Sequence, residues 1–259
     1  GNKDAKPSIQ SFNTLIDAWA RSGSPSAGDK AEALLDQLIQ ACSAGDTGLQ
    51  PTTTVYSTVM NAWTKLGNVQ RAQSVFSRME DDYAAGNKDA KPSIQSFNTL
   101  IDAWARSGSP SAGDKAEALL DQLIQGYSAG DTGLQPTKIT YNAVMNAWAK
   151  LGNAQRVQSV FSRMEDDYAS GNKDAKPNIR TYNTLIDAWA RSGSANAGIE
   201  ADGIVRIMRD WEVEPDTVFF PCIYNVGFCR NFWMALTNEL KKSNSLLLPW
   251  RSLDALQSA

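Results

Sequence analysis

Five tryptophans, Trp19, Trp63, Trp104, Trp148 and Trp189, follow one another along the chain at alternating steps of 44 and 41 residues. The two steps add up to an 85-residue segment that recurs almost unchanged. Residues 86–125 copy residues 1–40 letter for letter, and a diverging third copy opens at Gly171. A period of this size means a stacked array in which each unit buries its apolar face against its neighbours, so there is no single central core and no central pocket. Function in such a chain falls to whichever side chains recur in register along its surface.

Each tryptophan closes an apolar pattern. Phe12, Leu15, Ile16 and Trp19 are followed in the same register by Tyr56, Val59, Met60 and Trp63, then Phe97, Leu100, Ile101 and Trp104. Tyr141, Val144, Met145 and Trp148 come next, and last Tyr182, Leu185, Ile186 and Trp189. The spacing i, i+3, i+4, i+7 is one stripe of an α-helix, here called helix A. Four residues past each tryptophan stands a helix-stopping glycine: Gly23, Gly67, Gly108, Gly152 and Gly193. Asn68 and Asn153 then offer caps for the next helix. That second helix, helix B, shows as Ala31, Leu34, Leu35, Leu38 and its counterparts through Ala201, Ile204, Val205, Met208. Pro51, Pro92, Pro136, Pro177 and Pro215 close the units, because proline turns the preceding residue away from helix. The pattern predicts an all-α chain of five helix–turn–helix units stacked as an α-solenoid. Residues 1–8 end a preceding repeat or loop; the repeats span 9–52, 53–93, 94–137, 138–178 and 179–216; and 217–259 is a divergent tail. In that tail Phe232, Trp233, Leu236 and Leu240 fit one amphipathic capping helix.

The chain has no histidine, which removes the usual general base, imidazole metal ligand and nucleophile partner together. Cys42, Cys222 and Cys229 are odd in number and lack zinc-site spacing, so reduced thiols, an intracellular setting and no cofactor are expected. No apolar run is long enough to span a membrane. The chain opens on Gly1 within what is a loop in later copies, so a fragment is expected, with any targeting segment upstream. Net charge is −3, which counts against indiscriminate polyanion binding but allows a basic stripe on one face.

Such a stripe runs beside the apolar one on helix A. Its members are Gln10, Asn13, Asp17, Arg21; Thr54, Ser57, Asn61, Lys65; Gln95, Asn98, Asp102, Arg106; Ile139, Asn142, Asn146, Lys150; and Arg180, Asn183, Asp187, Arg191. The second place is always a small amide or hydroxyl and the last always a cation. In a superhelix this side would face the concave groove. One cation per unit suits one phosphate per nucleotide, and an amide suits a base edge because it both donates and accepts. The competing reading is local: Asp17–Arg21, Asp102–Arg106 and Asp187–Arg191 are i, i+4 pairs that stabilise a solvated helix, and a cation suits a helix C-terminus.

The segments FNTLIDAWARSG, YSTVMNAWTKLG, YNAVMNAWAKLG and YNTLIDAWARSG, each followed by a helix B stripe and a proline, resemble the pentatricopeptide repeat family over residues 8–216. The resemblance implies a right-handed superhelix that binds single-stranded RNA, one base per repeat, mostly in mitochondria or plastids, in RNA processing, stability or translation. It implies that each base is read by the helix A amide together with the residue after the closing proline. Those pairs are Asn13 with Thr52, Ser57 with Ser93, Asn98 with Thr137, Asn142 with Asn178, and Asn183 with Asp216. The order read this way is pyrimidine, purine, pyrimidine, pyrimidine, uracil, 5′ to 3′. The family's phosphate-contacting cation falls on Arg21, Lys65, Arg106, Lys150 and Arg191. The place that packs on the base is usually aliphatic; only Ile139 fits, and Gln10, Gln95 and Arg180 depart. A monomer without catalysis is expected, with no membrane partner. The alternative is a protein-binding scaffold, favoured by the acids Glu80, Asp81, Asp82, Glu165, Asp166 and Asp167. Their place on helix B leaves the helix A side cationic.

Overall fold

The computed structural model describes residues 8–45 and 47–214, so Asp46, Pro215, Asp216, Cys222, Cys229 and the candidate cap at Phe232, Trp233, Leu236 and Leu240 lie outside the described residues. The described residues hold ten α-helices and no strand: α1 (Ile9–Arg21), α2 (Ala27–Ser43), α3 (Thr53–Lys65), α4 (Val69–Ala84), α5 (Ile94–Ser107), α6 (Ala112–Ser128), α7 (Lys138–Lys150), α8 (Ala154–Ala169), α9 (Ile179–Arg191) and α10 (Ala197–Asp210). Odd-numbered helices are helix A and even-numbered ones helix B. The chain divides into two compact units, Gly1–Ala147 and Trp148–Ala259.

In the first unit α1 packs on α2, α3 on α4 and α5 on α6, and each hairpin leans on the next through α1 with α3, α2 with α3, α3 with α5 and α4 with α5. This is solenoid stacking, and the periodic stripes drive it. Tyr56, Val59 and Met60 of α3 are fully buried, as are Leu100 and Ile101 of α5 and Leu35 and Leu38 of α2. Each such side chain withdrawn from water contributes about 1.5–3 kcal/mol before entropy is charged against it. Helix B meets the next helix A edge to face: the rings of Phe76 and Phe97 are 5.0 Å apart at 70°. In the second unit α8 packs on α9 and α9 on α10. The same aromatic step recurs there between Phe161 and Tyr182, 5.7 Å apart at 62°.

The local signals act as expected at the helix ends. Gly23, Gly67, Gly108, Gly152 and Gly193 all adopt a left-handed conformation, φ between 65° and 71°. Asn68 and Asn153 cap α4 and α8 by accepting from the amides of Arg71 and Arg156. The polar stretches that close each unit are more ordered than their composition suggests. Lys88–Ala90 and Lys173–Ala175 each form one 3₁₀ turn, pinned by a fully buried alanine, Ala90 or Ala175. Asn87, also buried, donates through Nδ2 to the Pro51 carbonyl at 2.8 Å and to Asp82 at 2.6 Å, and accepts from the Asp89 amide. The Tyr56 hydroxyl donates to the same Asp82 carboxylate, and burial, with that carboxylate alongside, pushes the phenol well above its ordinary value.

The joint between the first two hairpins is built on a bare backbone. A Cβ on Gly28 would lie 2.4 Å from Trp63 Cε3, in the face of a rigid ring. Alanine is the better helix former by about 1 kcal/mol, but overpacking costs about 1–3 kcal/mol. Gly28→Ala is therefore expected to destabilise the chain in urea denaturation, and a gain in stability would show that the ring is free to move aside.

Candidate nucleic-acid interface

The second place of the helix A row is set by the helix's own geometry. Asn13, Ser57, Asn98 and Asn183 are half-buried, and Asn142 is buried. In α1 and α5 the amide oxygen points inward: Oδ1 of Asn13 and Oδ1 of Asn98 are both buried with no hydrogen-bond partner. A buried acceptor left unmade costs about 1–3 kcal/mol, and no bond through this oxygen fixes either amide in place. Ser57 differs, because its Oγ lies 3.0 Å from Ser96 Oγ of the following helix A.

The residues after the prolines are helix N-caps. Thr52 accepts from the Val55 amide, Ser93 from Ser96, and Asn178 from Thr181. Thr137 accepts from the Ile139 amide, and its own amide donates to Thr140 Oγ1. All four are half-buried, so each shares its polar atoms between the first helical turn and whatever lies outside. Asp216 lies outside the described residues.

The cations differ in what holds them. Arg21, Arg106 and Arg191 are exposed, and each is held by the acid one turn before it: Asp17 at 2.9 Å, Asp102 at 2.7 Å and Asp187 at 2.8 Å. The local pairing that competes with phosphate contact is thus present at all three. Lys65 is committed elsewhere, its Nζ donating at 3.0 Å to the Ala20 carbonyl in the last turn of α1. That carbonyl has no partner within its own helix, so Lys65 ties one repeat to the next. Lys150 is exposed. At the base-packing place Ile139 is 64% exposed, an apolar surface held out to solvent, and Gln10, Gln95 and Arg180 are exposed too.

The acids lie on helix B, not in this row. Asp82 serves the Tyr56–Asn87 network, and Asp167 accepts from Asn172 at 2.7 Å. Burial first, and the neighbouring Asp81 second, hold the Glu80 carboxyl above its ordinary range; burial and Asp166 do the same to Glu165. A carboxyl that binds its proton more tightly folded than unfolded stabilises the fold at low pH, and loses that contribution as pH rises through the folded value. The double variant Glu80→Gln with Glu165→Gln is therefore expected to melt higher than the natural chain at pH 7. The gap should close below the ordinary carboxylate range, as melting curves across pH would show.

Several contacts between repeats escaped the sequence pattern. Glu32 is buried, accepts from Trp63 Nε1 at 2.8 Å and pairs with Arg78 at 3.2 Å. Gln73 accepts from Trp104 Nε1 at 3.1 Å in the next joint. Their signal was available: Glu32, Gln73, Glu117 and Gln158 each follow the first residue of a helix B stripe. The Ser57–Ser96 bond is another. Among the described residues no cluster of carboxylates and thiols could hold a metal ion, and no helix is long and apolar enough to cross a membrane.

Paired helices stacked with a tryptophan at the end of every helix A define a helical-repeat protein. A model described as a pentatricopeptide repeat domain matches residues 128–188, and the PPR repeat model matches residues 54–83 and 180–209. Residues 54–83 and 128–209 are thus made of pentatricopeptide repeats, which supports a pentatricopeptide repeat protein. Among solved structures the chain is similar to the pentatricopeptide repeat protein PPR10 from maize, with 20% identity and a TM-score of 0.53 over 93% of this chain and 35% of that one. It is also similar to PPR10 in complex with an 18-nt psaJ RNA element, with 19% identity and a TM-score of 0.44 over 84% of this chain and 32% of that one. The chain thus spans about a third of the length of these structures. None of the curated proteins matches it.

Proposed function

We propose that this chain binds single-stranded RNA without catalysis, each helix pair addressing one base through its helix A amide or hydroxyl and the residue after the closing proline. The observation that carries the proposal is the pairing, in α1 and α5, of a buried and unpartnered amide oxygen with an exposed arginine two turns further along the same helix: Asn13 with Arg21, Asn98 with Arg106. No protein group ties the amide through its oxygen, and the arginine is a cation exchangeable onto phosphate. PPR10, a pentatricopeptide repeat protein, is described in complex with an RNA element. The proposed readers are Asn13, Thr52, Ser57, Ser93, Asn98, Thr137, Asn142, Asn178, Asn183 and Asp216. The proposed phosphate contacts are Arg21, Lys65, Arg106, Lys150 and Arg191. A role in organellar RNA metabolism follows from the family.

Fluorescence anisotropy against a randomised single-stranded RNA pool and a matched DNA pool, at two salt concentrations, tests this. Five phosphate contacts predict a log–log salt slope of roughly −3 to −4. Folded protein that binds neither pool at low salt would overturn the proposal and favour the protein scaffold.

A further inference from the structure

The second helix pair treats its readers differently from the first and third. Ser57 and Ser93 are the two residues assigned to its base, and both are bonded to one further hydroxyl. Ser96 Oγ lies 3.0 Å from Ser57 Oγ and 3.2 Å from Ser93 Oγ. Two reciprocal backbone contacts brace the cluster: the Ser96 amide donates to Ser93 Oγ, and the Ser93 amide to Ser96 Oγ, each at 3.4 Å. Ser96 itself is fully buried, so no base reaches it. Three hydroxyls carry three protons, and two links consume two of them.

We propose that Ser96 is a positioning residue that silences this repeat, holding both readers so that the facing base is bound with little discrimination. The inference rests on the RNA-binding proposal above. Selectivity between bases arises when the wrong base strands a polar group that the right one would pair. Around Asn98 no protein group bonds the amide oxygen, so the side chain is not already tied down when a base arrives. Around Ser57 the protein already supplies the partner, and a wrong base strands nothing. The first joint gives the contrast. There the register of Ser96 is filled by Val55, fully buried and without a hydroxyl, while Thr52 keeps the capping role of Ser93. Ser96→Val therefore copies an arrangement this fold already accommodates.

The test measures affinity for a set of RNAs in which each position in turn carries all four bases, using the natural chain, Ser57→Asn and Ser96→Val, with circular dichroism confirming the fold. Ser57→Asn restores the amide of the other repeats and identifies which RNA position faces this helix pair. The natural chain is expected to vary by less than about 3-fold at that position and by about 10-fold at the base facing Asn98. Ser96→Val should raise the former to about 10-fold and leave the latter unchanged; Ser96→Ala, which removes only the hydroxyl, should act in the same direction. If discrimination at the Asn98 base is present while neither Ser96 variant moves the second position, this inference is overturned alone. If the natural chain binds no RNA, both proposals fall together.

Discussion

Replacing Arg21, Arg106 and Arg191 together with glutamine is expected to weaken the binding of every single-stranded RNA by about 10- to 100-fold at low salt, with no change in which sequence is preferred. The log–log salt slope should fall by about 2, since each phosphate contact on a single strand contributes about 0.7. These three arginines are the right probes because, among the described residues, their fixed partners are half-buried carboxylates on the same helix, Asp17, Asp102 and Asp187. An i, i+4 pair of that kind is worth about 0.3–0.5 kcal/mol, so losing it barely touches the fold. The same geometry makes the carboxylates competitors for the guanidinium. Asp17→Asn, Asp102→Asn and Asp187→Asn together should therefore tighten RNA binding and steepen the salt dependence. Lys65 is a poor probe, because removing its ammonium also releases the Ala20 carbonyl and loosens the joint between α1 and α3. Anisotropy titrations across salt decide the matter. A triple variant that loses affinity for one sequence only, or keeps its full salt slope, would show that these arginines do not meet phosphate.

The helices were legible because periodicity and burial agree wherever a helix has neighbours on both sides. Tyr56, Val59 and Met60 were placed in the core by spacing alone, and all three are fully buried. Repetition also shows where such reading stops. Leu15 and Leu100 occupy identical surroundings in sequence, yet Leu15 is 48% exposed and Leu100 fully buried. Among the described residues no helix packs on the outer side of α1, whereas α5 has α3 and α4 against it. Ser11 and Ser96 differ in the same way: Ser11 is exposed, while Ser96 is buried against Ser57 of the preceding repeat. The candidate row was legible as a pattern of residue types. The arginine–aspartate pairs within one helix were legible too; the partners of Ser57 and Lys65 were not, because they come from the neighbouring repeat. Lys65 reaching Ala20 and Ser57 reaching Ser96 are contacts between turns of the array, invisible in any single unit.

Glu32 offers the sharpest test of how such an array holds together. Its carboxylate accepts from the indole of Trp63 and pairs with Arg78, all within the joint between the first hairpin and the second. Glu32→Leu is expected to cost about 2–3 kcal/mol, because it strands a buried indole N–H and leaves Arg78 with Asp36 alone. Glu32→Gln should cost about 1 kcal/mol, since Gln73 already makes the equivalent bond to Trp104 one joint further on. Stability in a repeat array is a sum of unit and neighbour terms, so the loss should be local. Hydrogen exchange should show the amides of α1 and α2 losing protection first, with α5 and α6 scarcely affected. Equal costs for the leucine and glutamine variants in urea denaturation would mean that the indole bond is not what fastens the joint. A uniform loss of protection along the first unit would mean that its hairpins fold as one body and not as a stack of separable repeats.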